Sequence, residues 1–224
     1  MNTVNGIVYV LDDEPEMVKA LTRVLRARRC EVLGFTSVRA FLDAYRPEHT
    51  ACLVLDVAMP ELDGLALQQR LTHEGILIPI IFLTGHGNIP LTVRAIKAGA
   101  TDFLTKPVDA GTLVRAVRAA LQLAQNQRQA VAEMAGLTAR LASLTPRQRE
   151  VMERVVAGQL NKQIAFDLGT GEPNIKLLRA HVMRKMGVES LADLVRAAGR
   201  LGIGLQPGSV LPVAGSAEPP HSLR

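Results

Sequence analysis

The chain has 224 residues, which is long for one small domain and short for three, so two domains are expected. Apolar residues make up 48% of it, but tryptophan is absent and aromatic residues are only 3%, so aliphatic side chains must fill the cores. The two cysteines are too few for a disulfide framework. No apolar run approaches the roughly 18 residues of a membrane span, and no signal peptide is recognisable, so we expect a cytoplasmic protein with no membrane partner.

The net charge of +5 is unevenly distributed along the chain. Residues 1–125 contain 13 Lys and Arg against 13 Asp and Glu, whereas residues 126–224 contain 13 against 8. A basic half joined to a neutral half indicates a module that binds a polyanion, usually nucleic acid. Five charges would also fit a basic surface without such a partner.

Strand-like and helix-like segments alternate through the first half of the chain. Short apolar runs predict strands at residues 7–11, 31–35, 51–55, 78–83 and 102–104. Helical spacing predicts helices at residues 16–29, 38–42, 62–71 and 89–98, and from Asp109 or Gly111 onward, and Ser37 is placed to cap the second of these. Five such units predict an α/β fold with a doubly wound, five-stranded parallel sheet. With strand order 2-1-3-4-5, the first and third strands would flank the switch point where ligands bind.

Asp56 is the most informative residue of the chain. It follows the continuous apolar run of residues 51–55, which indicates a strand buried on both faces. A carboxylate buried within the strand would be costly, so Asp56 is expected where the strand emerges at its carboxyl end. Taken alone it could simply end the strand, so its role depends on its neighbours.

Acidic residues also follow the first strand, where Asp12, Asp13 and Glu14 stand in a row. Asp13 could cap the next helix, which has Pro15 in its first turn. Carboxylates that converge on one sheet edge nevertheless repel each other and need a cation. Oxygen ligands suit Mg²⁺, which takes one or two carboxylates together with phosphate oxygens.

A hydroxyl group and an ammonium group are predicted at the same edge. Thr84 ends the fourth strand, and Lys106 ends the fifth, immediately before Pro107. Carboxylates, a hydroxyl and a lysine suit phosphoryl transfer to a carboxylate: Asp56 attacks, Lys106 and the metal neutralise charge, and Thr84 donates a hydrogen bond. A cis peptide at Lys106–Pro107 would aim the lysine inward, although such bonds are usually trans. A plain turn is the alternative.

The second half predicts helices alone. A mostly helical linker follows the fifth helix of the first half, and Gly136 is expected to weaken it. Thr145, Asn161 and Ser190 are each placed to cap a helix.

Gly171 precedes a helix at residues 172–186, and a short Gly-bearing turn at residues 169–171 separates this helix from the one before it. Two helices joined in this way form a helix-turn-helix. Basic residues gather on and around the turn and the second helix: Lys162, Lys176, Arg179, Arg184 and Lys185. Such residues on one face could enter a major groove and contact phosphates. The alternative is an all-helical interaction module.

Residues 5 to about 121 resemble a response-regulator receiver domain. The matching pieces are Asp12-Asp13, Asp56 with Met59-Pro60-Glu61-Leu62-Asp63-Gly64, Thr84, Gly99-Ala100 and Lys106-Pro107, and residues 82–89 are similar to the FixJ branch. The resemblance implies the flavodoxin-like or CheY-like fold, with Asp56 as the phosphorylated residue. It also implies that Asp12, Asp13, Asp56 and the backbone carbonyl of Ala58 hold Mg²⁺, and that Thr84, Lys106 and Phe103 sense the phosphoryl group.

Residues 144 to about 203 resemble the all-α, LuxR-type helix-turn-helix output domain of the NarL/FixJ family. The matching segments are residues 144–151, 161–165 and 183–188, together with Gly158. The resemblance implies contacts with double-stranded DNA by Lys162, Asn174, Lys176, Leu177, Arg179, Ala180, Arg184 and Lys185. Asn174 could bond an adenine edge and Lys176 a guanine. The second helix departs from the family at Gly171, Asn174 and Leu178, which puts the family's target preference in doubt. Leu177 and Leu178 together predict an unusually apolar surface for a helix that enters a groove.

We therefore expect a receiver domain at residues 1–123, a helical linker at 124–143, a DNA-binding domain at 144–205 and a disordered tail at 206–224. The expected function is that of a two-component response regulator, with a sensor histidine kinase, DNA, RNA polymerase and a second copy of the chain as partners.

Two other functions are open to a chain of this kind. An aspartyl-phosphate hydrolase would usually need an acid two residues after its nucleophile, where this chain has Ala58, so an enzyme is not expected. A phosphorylation-gated interaction protein without DNA binding is the remaining alternative.

Overall fold

The computed structural model describes residues 6–60, 63–85 and 99–204. Its strands are β1 (Ile7–Leu11), β2 (Glu31–Phe35), β3 (Ala51–Asp56), β4 (Ile80–Thr84) and β5 (Asp102–Thr105). Its helices are α1 (Pro15–Arg26), α2 (Val38–Ala44), α3 (Gly64–His73), α4 (Ala110–Ala142), α5 (Pro146–Val156), α6 (Asn161–Asp167), α7 (Glu172–Met186) and α8 (Leu191–Arg200). The helix predicted for residues 89–98, the tail predicted for residues 206–224, and Glu61 and Leu62 lie outside the described residues.

The five strands form one sheet in the order β2-β1-β3-β4-β5, with every neighbouring pair parallel. This confirms the predicted doubly wound fold. Leu11 pairs with Leu55 at the carboxyl ends of β1 and β3, so the residues that follow these two strands emerge side by side. The switch point therefore lies where the acidic residues are.

Both faces of the sheet are covered by helices, which explains why its strands are continuously apolar. Successive side chains of a strand point to opposite faces. Val8 and Val10 accordingly join a core with α1 and the first turns of α4, whereas Tyr9 and Leu11 join a second core with α2 and α3. All six residues of β3 are buried, because β3 lies in the middle of the sheet.

The fourth strand begins at Ile80, two residues later than the apolar run suggested. Pro79 precedes it and has no backbone N–H, so it cannot donate a bond to the ladder. Its carbonyl still accepts a hydrogen bond from the N–H of Leu53, at 2.9 Å. Proline therefore shortens the strand without breaking its contact with β3.

Three predicted caps are confirmed, because the side chains of Ser37, Thr145 and Ser190 each accept a backbone hydrogen bond at the start of a helix. Asp13 is not the cap of α1, since Glu14 occupies that position.

Asn161 is also not a cap: α6 starts at Asn161, and Leu160 occupies the N-cap position. The side chain of Gln163 satisfies the Leu160 N–H at 2.8 Å, so the capping role of a polar side chain has moved to the third helical residue.

α4 is one helix of 33 residues, and Gly136 does not interrupt it. A single glycine costs a helix about 1 kcal/mol relative to alanine, which the alanines, glutamines and leucines around it outweigh.

The chain divides into two compact units, with the boundary between Ala130 and Val131, inside the predicted linker. The second unit has its own core, built from α5, α6, α7 and α8. In the part of the chain that the structure describes, no helix combines the length and hydropathy required to span a bilayer.

Gly64 tests how tightly α3 packs on the strand that carries Asp56. A Cβ at this position would lie 2.5 Å from the Asp56 carbonyl oxygen and 3.2 Å from Val57 Cα. We expect Gly64→Ala to lower the free energy of unfolding by about 1–3 kcal/mol, as overpacking does. The free energy is measured by urea denaturation monitored by circular dichroism.

Gly136→Ala is the matched control, because a Cβ at that position would meet open space. It should raise the free energy of unfolding by about 0.5–1 kcal/mol, the ordinary gain of alanine over glycine within a helix. If Gly64→Ala were as stable as the unsubstituted protein, the close approach of α3 to β3 would not be a constraint.

Candidate functional site

Three carboxylates meet at the carboxyl edge of the sheet. One oxygen from each of Asp12, Asp13 and Asp56 lies within 4.8 Å of the others. Asp12 and Asp56 are buried, and Asp13 is half-buried. Asp12 follows β1 and Asp56 ends β3, so the pairing of these two strands brings the acids together. The structure thus unites the three acids that the sequence placed at one edge.

Lys106 is the cation of this site. Its Nζ lies 2.7 Å from Asp12 Oδ2 and 2.7 Å from Asp56 Oδ1. The lysine follows β5, and its peptide bond to Pro107 is cis. The ammonium group therefore bridges two buried carboxylates from different strands.

Burial and charge act in opposite directions on these groups. Burial raises the pKa of Asp56, although Lys106 and a hydrogen bond from the Ala58 N–H oppose it. For Lys106, burial alone would lower the pKa, but hydrogen bonds and Coulomb attraction from Asp12 and Asp56 outweigh it, so its pKa is raised. Lys106 therefore stays an ammonium ion at neutral pH.

The acidic pocket fits a metal ion. Three ionised carboxylates and one ammonium would leave a formal charge of about −2, and unpaired buried charge is costly. The three side chains offer only oxygen ligands, which suit hard divalent cations. Asp12, Asp13 and Asp56 are therefore residues that can hold such an ion.

Thr84, Ala58 and Phe103 are the other residues predicted for this site. Thr84 is buried at the end of β4, and its carbonyl accepts a 2.6 Å hydrogen bond from the backbone N–H of Lys106. The backbone N–H of Ala58 donates to Asp56 Oδ2 at 2.9 Å. Phe103 is half-buried on β5, and its ring centroid lies 6.2 Å from that of Phe82. Thr84 at the end of β4 and Lys106 after β5 therefore lie at the edge that carries the acids, whereas Phe103 lies within β5, opposite Phe82.

Asp12 has a second role that the sequence analysis missed. Its Oδ1 accepts a hydrogen bond from the Glu14 N–H at 3.0 Å, while its Oδ2 pairs with Lys106. An Asp side chain that bonds the backbone two residues on forms an Asx turn. The Pro15 that follows in the first turn of α1 was the signal from which this turn could have been recognised.

The second unit contains a helix-turn-helix made by α6 and α7. Gly169 in the turn has φ +60°, in the left-handed region that favours glycine. The carbonyl of Leu168 accepts a 2.7 Å hydrogen bond from Arg147 Nη2, which ties the turn to α5. As predicted, α7 spans Glu172–Met186 and has Gly171 as its N-cap.

α7 has one buried face and one exposed face. Ile175, Val182 and Met186 are buried in the core of the unit. The exposed positions include five of the predicted DNA contacts: Asn174, Lys176, Leu177, Ala180 and Arg184. Lys162 on α6 is exposed as well. His181 is half-buried one turn after Leu177.

Three side chains of this helix have partners within the unit. Leu178 is half-buried and packs against the core, so it does not form an apolar groove surface with Leu177. Arg179 is half-buried and its Nη1 donates to Asn161 Oδ1 at 3.4 Å. Lys185 donates to the Ser143 carbonyl at 2.7 Å and to Gln148 Oε1 at 2.9 Å. Lys185 is therefore engaged inside the unit.

Comparison with known protein families gives one match for each unit. Residues 8–118 match the response regulator receiver domain, and residues 142–198 match the bacterial regulatory proteins of the luxR family.

Several relatives match the chain over most of their own length. The chain is 46% identical over 198 residues to nodulation protein W of Bradyrhizobium diazoefficiens, covering 88% of this chain and 87% of that one. It is 43% identical to the response regulator TodT of Pseudomonas putida (88% and 86%), and 40% identical to the transcriptional regulatory protein FixJ of B. diazoefficiens (90% and 98%).

Two solved structures are similar over most of their length. The response regulator StyR is 42% identical with a TM-score of 0.79, over 87% of this chain and 98% of that one. Full-length FixJ from B. japonicum is 40% identical with a TM-score of 0.55, over 89% and 98%.

The fold and the acidic site are those of a two-component receiver, and the second unit is a helix-turn-helix. The chain belongs to the response regulators that join a receiver domain to a LuxR-type DNA-binding domain, the family of FixJ, TodT and nodulation protein W. It is a transcriptional response regulator and not an enzyme.

Lys106→Met should destabilise the receiver unit strongly, because it leaves Asp12 and Asp56 buried without their cation. We expect the free energy of unfolding to fall by about 3 kcal/mol, the cost of removing one partner of a buried ion pair. Urea denaturation without divalent metal measures it.

Lys19→Met is the control, since the ion pair of Lys19 with Glu16 has a similar length, 2.8 Å against 2.7 Å, but both of its side chains are exposed. Its loss should cost less than about 1 kcal/mol. Equal effects of the two substitutions would show that burial does not strengthen the Lys106 bridge.

Proposed function

We propose that Asp56 accepts a phosphoryl group from a sensor histidine kinase, and that this event controls dimerisation and sequence-specific DNA binding. The observation that carries the proposal is the position of the Lys106 ammonium, 2.7 Å from both Asp12 and Asp56. A cation held there can pair with a phosphoryl oxygen as soon as one arrives on Asp56.

Mg²⁺ is the proposed cofactor, and Asp12, Asp13, Asp56 and the backbone carbonyl of Ala58 are the residues that would hold it. When bound, the ion would offset the repulsion between the Asp56 carboxylate and the phosphoryl oxygens. The all-oxygen donor set and the excess negative charge of the pocket support this choice over softer metals.

The transfer forms one bond and breaks one. An Asp56 carboxylate oxygen bonds to phosphorus while the P–N bond of the kinase phosphohistidine breaks, and the electron pair returns to the imidazole nitrogen. The Ala58 N–H holds Asp56 Oδ2, so the carboxylate is oriented before the donor arrives. The Lys106 ammonium then neutralises a phosphoryl oxygen, and the Thr84 hydroxyl donates a hydrogen bond to another.

The response to phosphorylation follows from the added charge. A phosphoryl group carries about −1.5 to −2 at neutral pH, which would draw Lys106 and Thr84 toward it. Lys106 and Thr84 share a 2.6 Å backbone hydrogen bond between β4 and β5, and Phe103 lies on β5, so the change would pass to the surface of these strands. We propose that it favours a homodimer, with a coupling of about 1–3 kcal/mol.

The proposed DNA contact is made by the exposed face of α7. In a helix-turn-helix the second helix enters the major groove while the first crosses the backbone. Asn174 and Lys176 would then meet base edges, and Lys162 and Arg184 would contact phosphates. Because Leu178 packs into the core, the exposed face is less apolar than the sequence suggested, which favours DNA binding over an interaction module. RNA polymerase and a cytoplasmic location are proposed with this function.

Asp56→Asn should abolish acyl-phosphate formation. The amide is a far poorer nucleophile than the carboxylate, and the other two acids remain in place. The measurement is the mass of the intact protein after incubation with acetyl phosphate and Mg²⁺. Asp109→Asn, an exposed acid before α4, should be labelled like the unsubstituted protein. Full labelling of Asp56→Asn would mean that the acceptor is another residue.

Arg184→Ala and Lys176→Ala should behave differently on DNA. Arg184→Ala, a phosphate contact, should weaken binding to all sequences and reduce the slope of log K against log salt by about 1. Lys176→Ala, a base contact, should weaken binding to a selected genomic fragment more than to unrelated DNA. Fluorescence anisotropy at several salt concentrations measures both.

Arg39→Ala is the control for this series, because Arg39 is an exposed residue of α2 in the receiver unit. Its affinity and salt slope should equal those of the unsubstituted protein. Unchanged binding by both α7 variants would show that another surface contacts DNA.

A further inference from the structure

The last turns of α4 are built into the second unit. Residues 131–142 fall on the second side of the unit boundary, and Leu137 and Leu141 pack against the core made by α5–α8. A carboxylate oxygen of Glu133 lies 3.0 Å from Arg200 Nη2, at the end of α8. This segment is therefore held by apolar and charged contacts and does more than join the two domains.

Arg140 connects this segment to the carboxyl end of α7. Its Nη1 donates a 3.1 Å hydrogen bond to the carbonyl of Met186, the last residue of α7. The last carbonyls of a helix have no partner within it and carry the negative end of its dipole, so a guanidinium group there satisfies both. Gly187 leaves space for this guanidinium group, since a Cβ on residue 187 would lie 2.8 Å from Arg140 Nη1.

Lys185 makes a second connection at the same end of α7. Its Nζ bonds the Ser143 carbonyl, just after α4, and Gln148 Oε1. The same Gln148 oxygen accepts a 3.0 Å hydrogen bond from the Thr145 N–H, as half of the capping box of α5. One buried glutamine thus joins the start of α5 to the end of α7.

We propose that Arg140 and Lys185 are positioning residues, which fix the carboxyl end of α7 and so set how its exposed face meets DNA. The inference rests on the proposed DNA binding. Base recognition requires donors placed to within a fraction of a hydrogen-bond length, whereas attraction to phosphates tolerates small displacements. Loss of a positioning residue should therefore reduce specific binding more than non-specific binding.

The test uses the full-length protein and its Arg140→Ala and Arg140→Lys variants. Affinity is measured for a genomic fragment selected by the unsubstituted protein and for unrelated DNA, over a series of salt concentrations. Arg140→Ala should lose about tenfold in specific affinity, as expected for one hydrogen bond from a charged group. Its salt slope and non-specific affinity should be unchanged, and Arg140→Lys should recover most of the loss.

Arg149→Ala is the control, because it also removes one positive charge from the unit but its guanidinium pairs with Glu153 on its own helix. Its specific affinity, non-specific affinity and salt slope should equal those of the unsubstituted protein. A salt slope reduced by about 1 in Arg140→Ala would make Arg140 a phosphate contact and overturn the proposal. The same slope change in Lys185→Met would return Lys185 to the DNA contacts. Unchanged specific affinity in Arg140→Ala would also overturn the proposal.

A second measurement does not depend on DNA. Hydrogen exchange of the backbone amides of residues 183–188 is followed by mass spectrometry in the free protein. Arg140→Ala should accelerate exchange there, and Arg140→Lys and Arg149→Ala should not. Unchanged exchange in Arg140→Ala overturns the positioning role, whatever the DNA result. If the unsubstituted protein binds no fragment, with or without acetyl phosphate, the proposed function fails, and hydrogen exchange still decides the role of Arg140.

Discussion

The bridge that Lys106 makes between Asp12 and Asp56 is the interaction on which the receiver site depends. Asp12 follows β1, Asp56 ends β3 and Lys106 follows β5, yet β5 touches neither of the other two strands. The ammonium therefore reaches across the end of β4 to join groups from separate strands. Without it, two buried carboxylates would have lost their hydration with no direct cationic partner among the described residues.

The same bridge explains how one added group could alter a surface some distance away. A phosphoryl group on Asp56 would compete with Asp12 for a single ammonium. A movement of Lys106 would also displace Thr84, because the Thr84 carbonyl accepts a hydrogen bond from the Lys106 backbone N–H. A buried ion pair contributes little net stability when it is complete, but its rearrangement is costly when it is not. Such an arrangement is suited to a switch.

Some basic residues of the second unit are exposed on α7, and others bond to groups within the unit. The excess positive charge of the C-terminal half indicated DNA binding, and the exposed face of α7 supports that interpretation. Some of these charges are used inside the unit, however: Arg140 and Lys185 bond to backbone carbonyls at the end of α7 and just after α4. A count of basic residues therefore overstates the number available to phosphates.

Local patterns in the sequence determined most of the fold. Apolar runs predicted the five strands, and β4 was shortened because Pro79 lacks an N–H. α7 was predicted at its observed bounds because the turn that ends at Gly171 precedes it and both termini carry the charge that the helix dipole favours. Alternating strands and helices predicted a doubly wound parallel sheet, and its observed order places Asp12, Asp56, Thr84 and Lys106 at one edge.

Only the tertiary structure decided which side chains bond to or pack against each other. The sequence put Lys106 at the acidic edge but could not show that it pairs with Asp12 as well as with Asp56. Nor could it show that Leu178 packs against the core, or that Lys185 bonds to Ser143 and Gln148 within the unit. Residues far apart in sequence meet in directions set by the whole packed unit, and no local spacing encodes those directions.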